Sequence, residues 1–391
     1  MKIFTSTRDT TALLPQSDGT LRIESAGGIT IIGQGGRATV MEHRECLPVM
    51  ASFPAPPKGA GGAIVTARLP DGLTAVFGDT RLWQGDKPGP ELPPHLREVT
   101  ALARWQDKLI LGVRRKGVWV LEKTGWQPLT DHTNEPYDHN IQVIAWYKNI
   151  LYASTLDQGL LTFDGQTWSR ISGLSTDAPR QLLIHADKLL VRHGDGQIDA
   201  FDGRTWMTDA FRTQLPRKTA SAIATDGTRL LVLQWGGYSL WDGRTWSHRF
   251  DLPDLRSIAL TCGLLDGPTL YIGTQGRGLI EISPNTTRRH DERVGLQDDW
   301  LTCLEKTPDG TLHAGTFVGG LARLRSGQSR WELLLETRGQ QITALSAPLV
   351  ATRQRVWGTS SSELSQLREA QALCVTPTGL WIGARTALYS A

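Results

Sequence analysis

The sequence predicts an all-β fold, a single β-propeller of four-stranded antiparallel blades, and three observations carry that prediction. A six-residue phrase recurs as "FDGQTW" (163–168), "FDGRTW" (201–206) and "WDGRTW" (241–246). An apolar strand followed by a Gly-containing turn recurs at ten places, among them "LYASTLDQGLLTF" (151–163), "LYIGTQGRGLIEI" (270–282) and "LHAGTFVGGLARL" (312–324). Asp-Gly pairs join the short alternating stretches between them, and Asp-Gly between such stretches is the strongest local hairpin signal. Four short strands repeated at a period of about 40 residues are the signature of propeller blades.

Each unit is read in the same order. An apolar inner strand opens it, such as "VTALARW" (99–105), "ITALSAP" (342–348) or "ALCVTP" (372–377). A tight turn follows, "PDG" (308–310) or "TDG" (225–227), then the second strand, a variable turn and the third strand. The Asp-Gly phrase turns the chain into a last strand that carries Trp. Trp126, Trp168, Trp206 and Trp246 keep that beat at spacings of 42, 38 and 40, and Trp331 follows 85 residues later. The skipped unit has Ser283-Pro284 where the turn belongs. These tryptophans read as structural anchors.

The count is nine or ten blades, or eight if the weak copies "LRIESAGGITII" (21–32) and "LTAVFGDTRLW" (73–83) are loops. Near the end the repeat shrinks to 25 residues, from 358 to 383, which predicts one blade short of its outer strand. The sequence ends on a third strand, so "KIFTST" (2–7) is expected to supply the fourth and to close the ring between N- and C-terminal strands. One domain is expected over 1–391, with a loop insertion around 43–62.

Composition narrows the function classes. Forty-two basic and 39 acidic residues are intermixed, for a net charge of +3, and the longest basic run is "VRRKG" (113–117). That balance argues against nucleic acid, whose binders concentrate their Lys and Arg. No apolar run approaches the roughly 20 residues of a membrane span. The N-terminus has no apolar leader segment, so a cytoplasmic location is expected. Cys46, Cys262, Cys303 and Cys374 show neither a disulfide framework nor metal spacing. Cys303 and Cys374 take the inner-strand position held elsewhere by Ala101, Ala222 and Ala344, so they read as small buried residues.

The units resemble the two-component regulator propeller repeats, found in sensor domains of hybrid histidine kinases. Their pattern of an L-W-I-G-T strand, a Gly-Leu pair and a F-D-G turn before Trp is matched by "LYIGTQGRGLIEI" and "LYASTLDQGLLTFDGQTW". The match is good over about 99–391 and poor over 1–98. It implies a propeller that senses a ligand, without naming one. In that family a transmembrane helix and a kinase follow the propeller, and neither stands in this sequence, so a stand-alone propeller is expected.

Propellers bind at the ends of the central channel. Turns between second and third strands are expected to share a face with the blade-to-blade connections, and they vary from unit to unit. They present Arg114, Arg115 and Lys116; Asp157 and Gln158; His193 and Asp195; Gln234 and Trp235; Gln275 and Arg277; Phe317 and Val318; and Arg385. Exposed aromatics and arginines are enriched at binding hot spots. Arg114, Arg115, His193, Trp235, Arg277, Phe317 and Arg385 are therefore the predicted binding set.

The leading function is a non-enzymatic binding module, either a protein-interaction scaffold or a ligand-sensing subunit. Its partner would be a protein or a small molecule at the channel mouth. The alternative is a propeller hydrolase or lyase with its site at that mouth, although the inner strands carry few acidic or His side chains. No catalytic constellation, cofactor motif or metal motif is legible. Asp131, His132, Asp138 and His139 read as a solvated polar connection. "GTQGRG" (273–278) is flanked by strands and reads as a β-turn, and "RRHDER" (288–293) as a charged loop.

Overall fold

Hydrogen bonds explain why the repeated phrase turns. The computed structural model describes the chain except for residues 1, 5, 34–37, 42–53, 130–134 and 157. In it Asp164, Asp202 and Asp242 each accept from the backbone N–H groups two and three residues on, at 2.7–2.8 Å. The glycines that follow them take φ of 99–101°, a region that costs glycine little and other residues much. Each turn sets a ring against its Trp: Phe163 pairs with Trp168 and Phe201 with Trp206, stacked at 4.8 and 4.6 Å. Trp241 pairs with Trp246 in the same register, the rings tilted at 5.7 Å. The phrase is architecture.

Among the described residues the strands form ten antiparallel sheets, nine of four strands and one of three. In chain order, sheets 1–3 span 10–41, 65–91 and 99–128. Sheets 4–9 span 141–170, 179–207, 220–249, 260–290, 301–333 and 342–357. Sheet 10 spans 370–390, and Lys2–Phe4 pairs with Leu388–Ser390 as its fourth strand. Ten sheets match the predicted nine or ten blades. Sheet 9 is the predicted short one: after Val356–Trp357 the chain enters the helix Ser362–Ser365, and its Leu364 joins the apolar cluster of Val356.

Packing divides the ten sheets into two groups. The inner strands of sheets 4 to 10 touch in succession, and Ala370–Thr376 of sheet 10 packs back on Ile141–Tyr147 of sheet 4. One apolar cluster lies between each pair of neighbours around this cycle of seven. At the return seam Phe4, Trp381 and Leu388 meet Ile141, Leu151 and Phe163. Sheets 1–3 make a shorter arc in the spatial order 2–3–1, with one cluster at each contact. The chain enters the arc after Lys2–Phe4 and leaves it before Ile141–Tyr147, so both ends of the arc attach to the ring.

One sequence position joins sheet to sheet in both groups. In every inner strand the ladder slips at the second residue, a β-bulge. A bulged side chain can then reach the first carbonyl of the next inner strand. Thr302 Oγ1 donates to Ile342 O at 2.7 Å, Thr343 Oγ1 to Ala370 O at 2.5 Å, and Gln371 Nε2 to Ile141 O at 3.1 Å. In the arc, Thr66 donates to Val99 O and Thr100 to Thr10 O, at 2.6 and 2.5 Å. Close approach needs a bare backbone opposite: a Cβ on Gly383 would lie 2.7 Å from Ile141 Cγ2.

Cys262 and Cys303 are part-exposed residues whose sulfurs face Gly273 and Gly315 in such seams. Desolvation pushes both thiols up to about 12, so they are inert. Cys46 lies outside the described residues. Among the described residues no helix is long and apolar enough to cross a membrane.

Candidate functional site: a channel mouth lined by the bulge position

A repeated backbone bond fixes which loops share a face. The residue that follows the second strand donates its N–H to the carbonyl just before the inner strand. Arg114 does so to Glu98, Leu156 to Asn140, Gly194 to Ala178, Gln275 to Ala259, Phe317 to Trp300 and Arg385 to Glu369, at 2.8–3.1 Å. The variable turns and the sheet-to-sheet connections therefore lie together.

On that face a cavity of about 500 Å³ opens at the return seam of the ring. Side chains at the bulge position line it: Gln142, Arg180, Thr302, Thr343 and Gln371, from sheets 4, 5, 8, 9 and 10. Three amides interlock there. Gln142 Nε2 donates to Asn140 Oδ1 at 2.6 Å and to Gln371 Oε1 at 3.0 Å, and Gln371 Nε2 donates to Asn140 Oδ1 at 2.8 Å. Arg353, Glu369 and Arg385 are gathered by a backbone relay, in which Glu369 N–H donates to Arg353 O at 2.8 Å and Arg385 N–H to Glu369 O at 3.1 Å. The same three residues also line a groove of about 990 Å³ over the seam between sheets 9 and 10, to which Arg355 and Arg368 are added.

Charge on this lining is one-sided. Several arginines elsewhere are matched to carboxylates, as in Arg104–Asp71 at 2.8 Å, Arg229–Asp226 at 2.7 Å and Arg293–Asp291 at 2.6 Å. Here five arginines face one lining carboxylate, Glu369, among the described residues. Arg353 and Arg368 make no ion pair among the described residues, and Arg355 lies over the Trp357 ring at 4.1 Å. Positive charge in a concave site focuses field and raises the local concentration of anions. Guanidinium forks pair with carboxylates and phosphates in bidentate geometry. The arrangement can hold and orient an anion, and the lining pairs no two carboxylates for acid–base work.

No family model matches this chain, and no curated protein matches it. Among solved structures it is similar to extracellular domains of BT4673 from B. thetaiotaomicron. One, described as part of a hybrid two-component system, has a TM-score of 0.51 at 12% identity, over 97% of this chain and 69% of that one. The other, described as part of a one-component system, has a TM-score of 0.49 at 14% identity with the same coverage. The computationally designed Ika8 protein aligns over 99% of this chain and 98% of its own, at 15% identity and a TM-score of 0.39. Likeness at such identity establishes a fold and nothing finer. The expected cytoplasmic location is corrected: the similar domain of the hybrid two-component system is an extracellular one.

The predicted binding set scatters. Arg385 lines the mouth, as placed above. Arg114 and Arg115 are exposed, but on sheet 3 of the arc rather than on the ring. Trp235 is exposed on sheet 6. Phe317 lies against Trp300, the rings stacked at 4.2 Å. Arg277 is held down by carbonyls: its Nη1 donates to Asp254 O at 3.1 Å and Arg256 O at 2.8 Å.

His193 is a correction, since it is fully buried. Its Nε2 lies 2.9 Å from Asp199 Oδ2 and its Nδ1 3.1 Å from Thr176 Oγ1, so buried polar partners draw it inward. Gln234 is buried as well, and its Oε1 accepts from Ser239 Oγ at 2.7 Å. Asp157 lies outside the described residues. In "RRHDER", Arg289 and Arg293 pair with Asp291, and His290 with Glu281 on the neighbouring strand.

Arg180, Arg353, Gln142 and Gln371 were missed by sequence reasoning. The signal that finds Gln142, Arg180 and Gln371 is the second residue of each inner strand, where the bulge turns a side chain toward the channel; Arg353 instead follows the second strand of sheet 9.

Proposed function

We propose that this chain is a non-enzymatic, ligand-sensing propeller that holds a small anion-bearing molecule at its channel mouth. The convergence of Arg180, Arg353 and Arg385 around the amides of Asn140, Gln142 and Gln371 carries this reading. Arginines supply charge, while amides offer both donors and acceptors to hydroxyl or carbonyl groups on the same ligand. A ligand in this cavity touches sheets 4, 5, 8, 9 and 10 together and so bridges the return seam. Occupancy would tighten the ring, a change a neighbouring domain could read. The likeness to extracellular domains of a two-component system, and the resemblance of the repeat to two-component regulator propellers, support sensing and an extracellular setting. Exposed Trp235 and Val318 on the same face support a protein partner as the second reading.

Calorimetric titration tests the proposal, with citrate, pyrophosphate and triglutamate as anionic probes and maltotriose as neutral control. The parent is expected to bind an anionic probe saturably and to ignore maltotriose. The double variant Arg353→Ala/Arg385→Ala is expected to bind at least about tenfold more weakly, because a hydrogen bond to a charged group contributes about 1.5–3 kcal/mol. Equal affinity in parent and variant, or no anion binding in the parent, overturns the proposal.

A further inference from the structure

Two connections run side by side where the arc joins the ring, residues 6–9 and residues 135–140. Thr7 ties them, its N–H and Oγ1 both donating to the Glu135 carboxylate at 2.8–3.0 Å. Arg8 adds a second tie by lying 4.3 Å over the Tyr137 ring. Held by these contacts, Asp9, Asp138 and His139 each bring one ligand-type atom within 4.8 Å of the other two. Asp138 is only 5% exposed. Its Oδ1 lies 3.3 Å from His139 Nδ1, a buried nitrogen that makes no hydrogen bond among the described residues.

Two aspartates drawn together in a part-buried corner repel each other, and a cation held between them relieves that repulsion. The donor set suggests what supplies it. Calcium and magnesium take oxygen ligands, whereas imidazole together with carboxylate suits zinc and its neighbours. A tetrahedral ion with bonds of about 2.0–2.2 Å holds its ligand atoms about 3.3 Å apart. Asp138 and His139 already stand at that separation, and Asp9 must close by at most about 1.5 Å, within reach of a rotamer change. The ligand that sequence alone could not supply is Asp9, which the fold brings beside Asp138 from the start of the arc.

We propose that Asp9, Asp138 and His139 bind one divalent ion of the zinc class, with water in the fourth position. The ion is a clasp: it closes both strands of the connection and fixes the arc to the ring.

The test uses untagged full-length protein stripped with EDTA and titrated with ZnCl₂ by calorimetry, with Co²⁺ absorption as a readout of coordination. One ion per chain, visible Co²⁺ bands of a four-coordinate nitrogen–oxygen site and a zinc-dependent rise in Tm are expected. Asp9→Asn, Asp138→Asn and His139→Gln are each expected to weaken zinc at least about tenfold. Asp9 sits on the part-exposed connection, so Asp9→Asn decides the matter if a buried variant fails to fold. No zinc binding by the parent, unchanged affinity in Asp9→Asn, or a site that takes Ca²⁺ in preference to Zn²⁺ overturns the proposal.

Discussion

Ring and arc are made from the same repeat, yet they end differently. Every ring sheet packs its inner strand on two neighbours, whereas among the described residues the inner strands of sheets 1 and 2 each pack on one. At the return seam Ile141, Leu151 and Leu388 are fully buried. In repeat proteins stability is approximately a sum of unit and nearest-neighbour terms, so the last interface counts as much as any other. The blade sequence sets the unit; the return contact sets how many units make a ring. It also builds the proposed anion site, because Gln142 and Gln371 meet there.

The largest effect should separate the two groups. Ile141 and Leu111 are both fully buried, one at the ring's seam and one in the arc. Truncation to Ala is expected to cost about 2–5 kcal/mol at either site. Calorimetry should show two transitions, with Ile141→Ala lowering the ring's and Leu111→Ala the arc's. A single transition moved equally by both variants would erase the distinction.

Next in size is a buried carboxylate of the ring. Burial pushes Asp199 up, but hydrogen bonds from His193, Ser175 and the Asp209 N–H outweigh it and hold the carboxyl below its ordinary value. A depressed folded pKa stabilises fully above the unfolded value of about 3.9, and the gain is lost as pH falls through the folded value. Asp199→Asn is expected to cost about 1–3 kcal/mol at pH 7. It should also flatten the acid limb of ring stability, as urea melts between pH 7 and 3 would show. An unchanged acid limb would mean that Asp199 is not the group responsible.

Smaller again are the bulge bonds. Thr343→Ala in the ring and Thr100→Ala in the arc should each cost about 1 kcal/mol, the usual net value of one hydrogen bond. Urea melts that show no loss for either would make the bulge bonds incidental. Smallest in stability, within about 0.5 kcal/mol, is Arg353→Ala, because the side chain is exposed and makes no ion pair among the described residues. Its effect should fall on anion binding alone, and a melt beside a citrate titration separates the two.

Local features were legible in sequence. The Asp-Gly-x-Thr-Trp turns, the truncated sheet 9 and the face shared by the variable turns follow from contacts a few residues apart. Grouping was not legible, since Gln371 reaching Ile141 is a contact across most of the chain that no periodicity encodes. Site residues divided along the same line. Arg385 stands in a turn whose position the repeat reveals. Gln142 and Arg180 look like ordinary polar residues in strands until the bulge turns them. His193 and Arg277 look like exposed turn residues, but Asp199 draws one inward and carbonyl oxygens hold the other.

Hydrogen exchange resolved by mass spectrometry tests the return seam most directly. Amides of Ile141–Tyr147 and Ala370–Thr376 should exchange as slowly as those of Leu301–Lys306 inside the ring. All three should exchange far more slowly than Thr10–Pro15 and Val65–Arg68 at the arc's ends. Exchange at the seam on the timescale of the arc's ends would mean that the seven sheets do not close and that the anion site is not assembled.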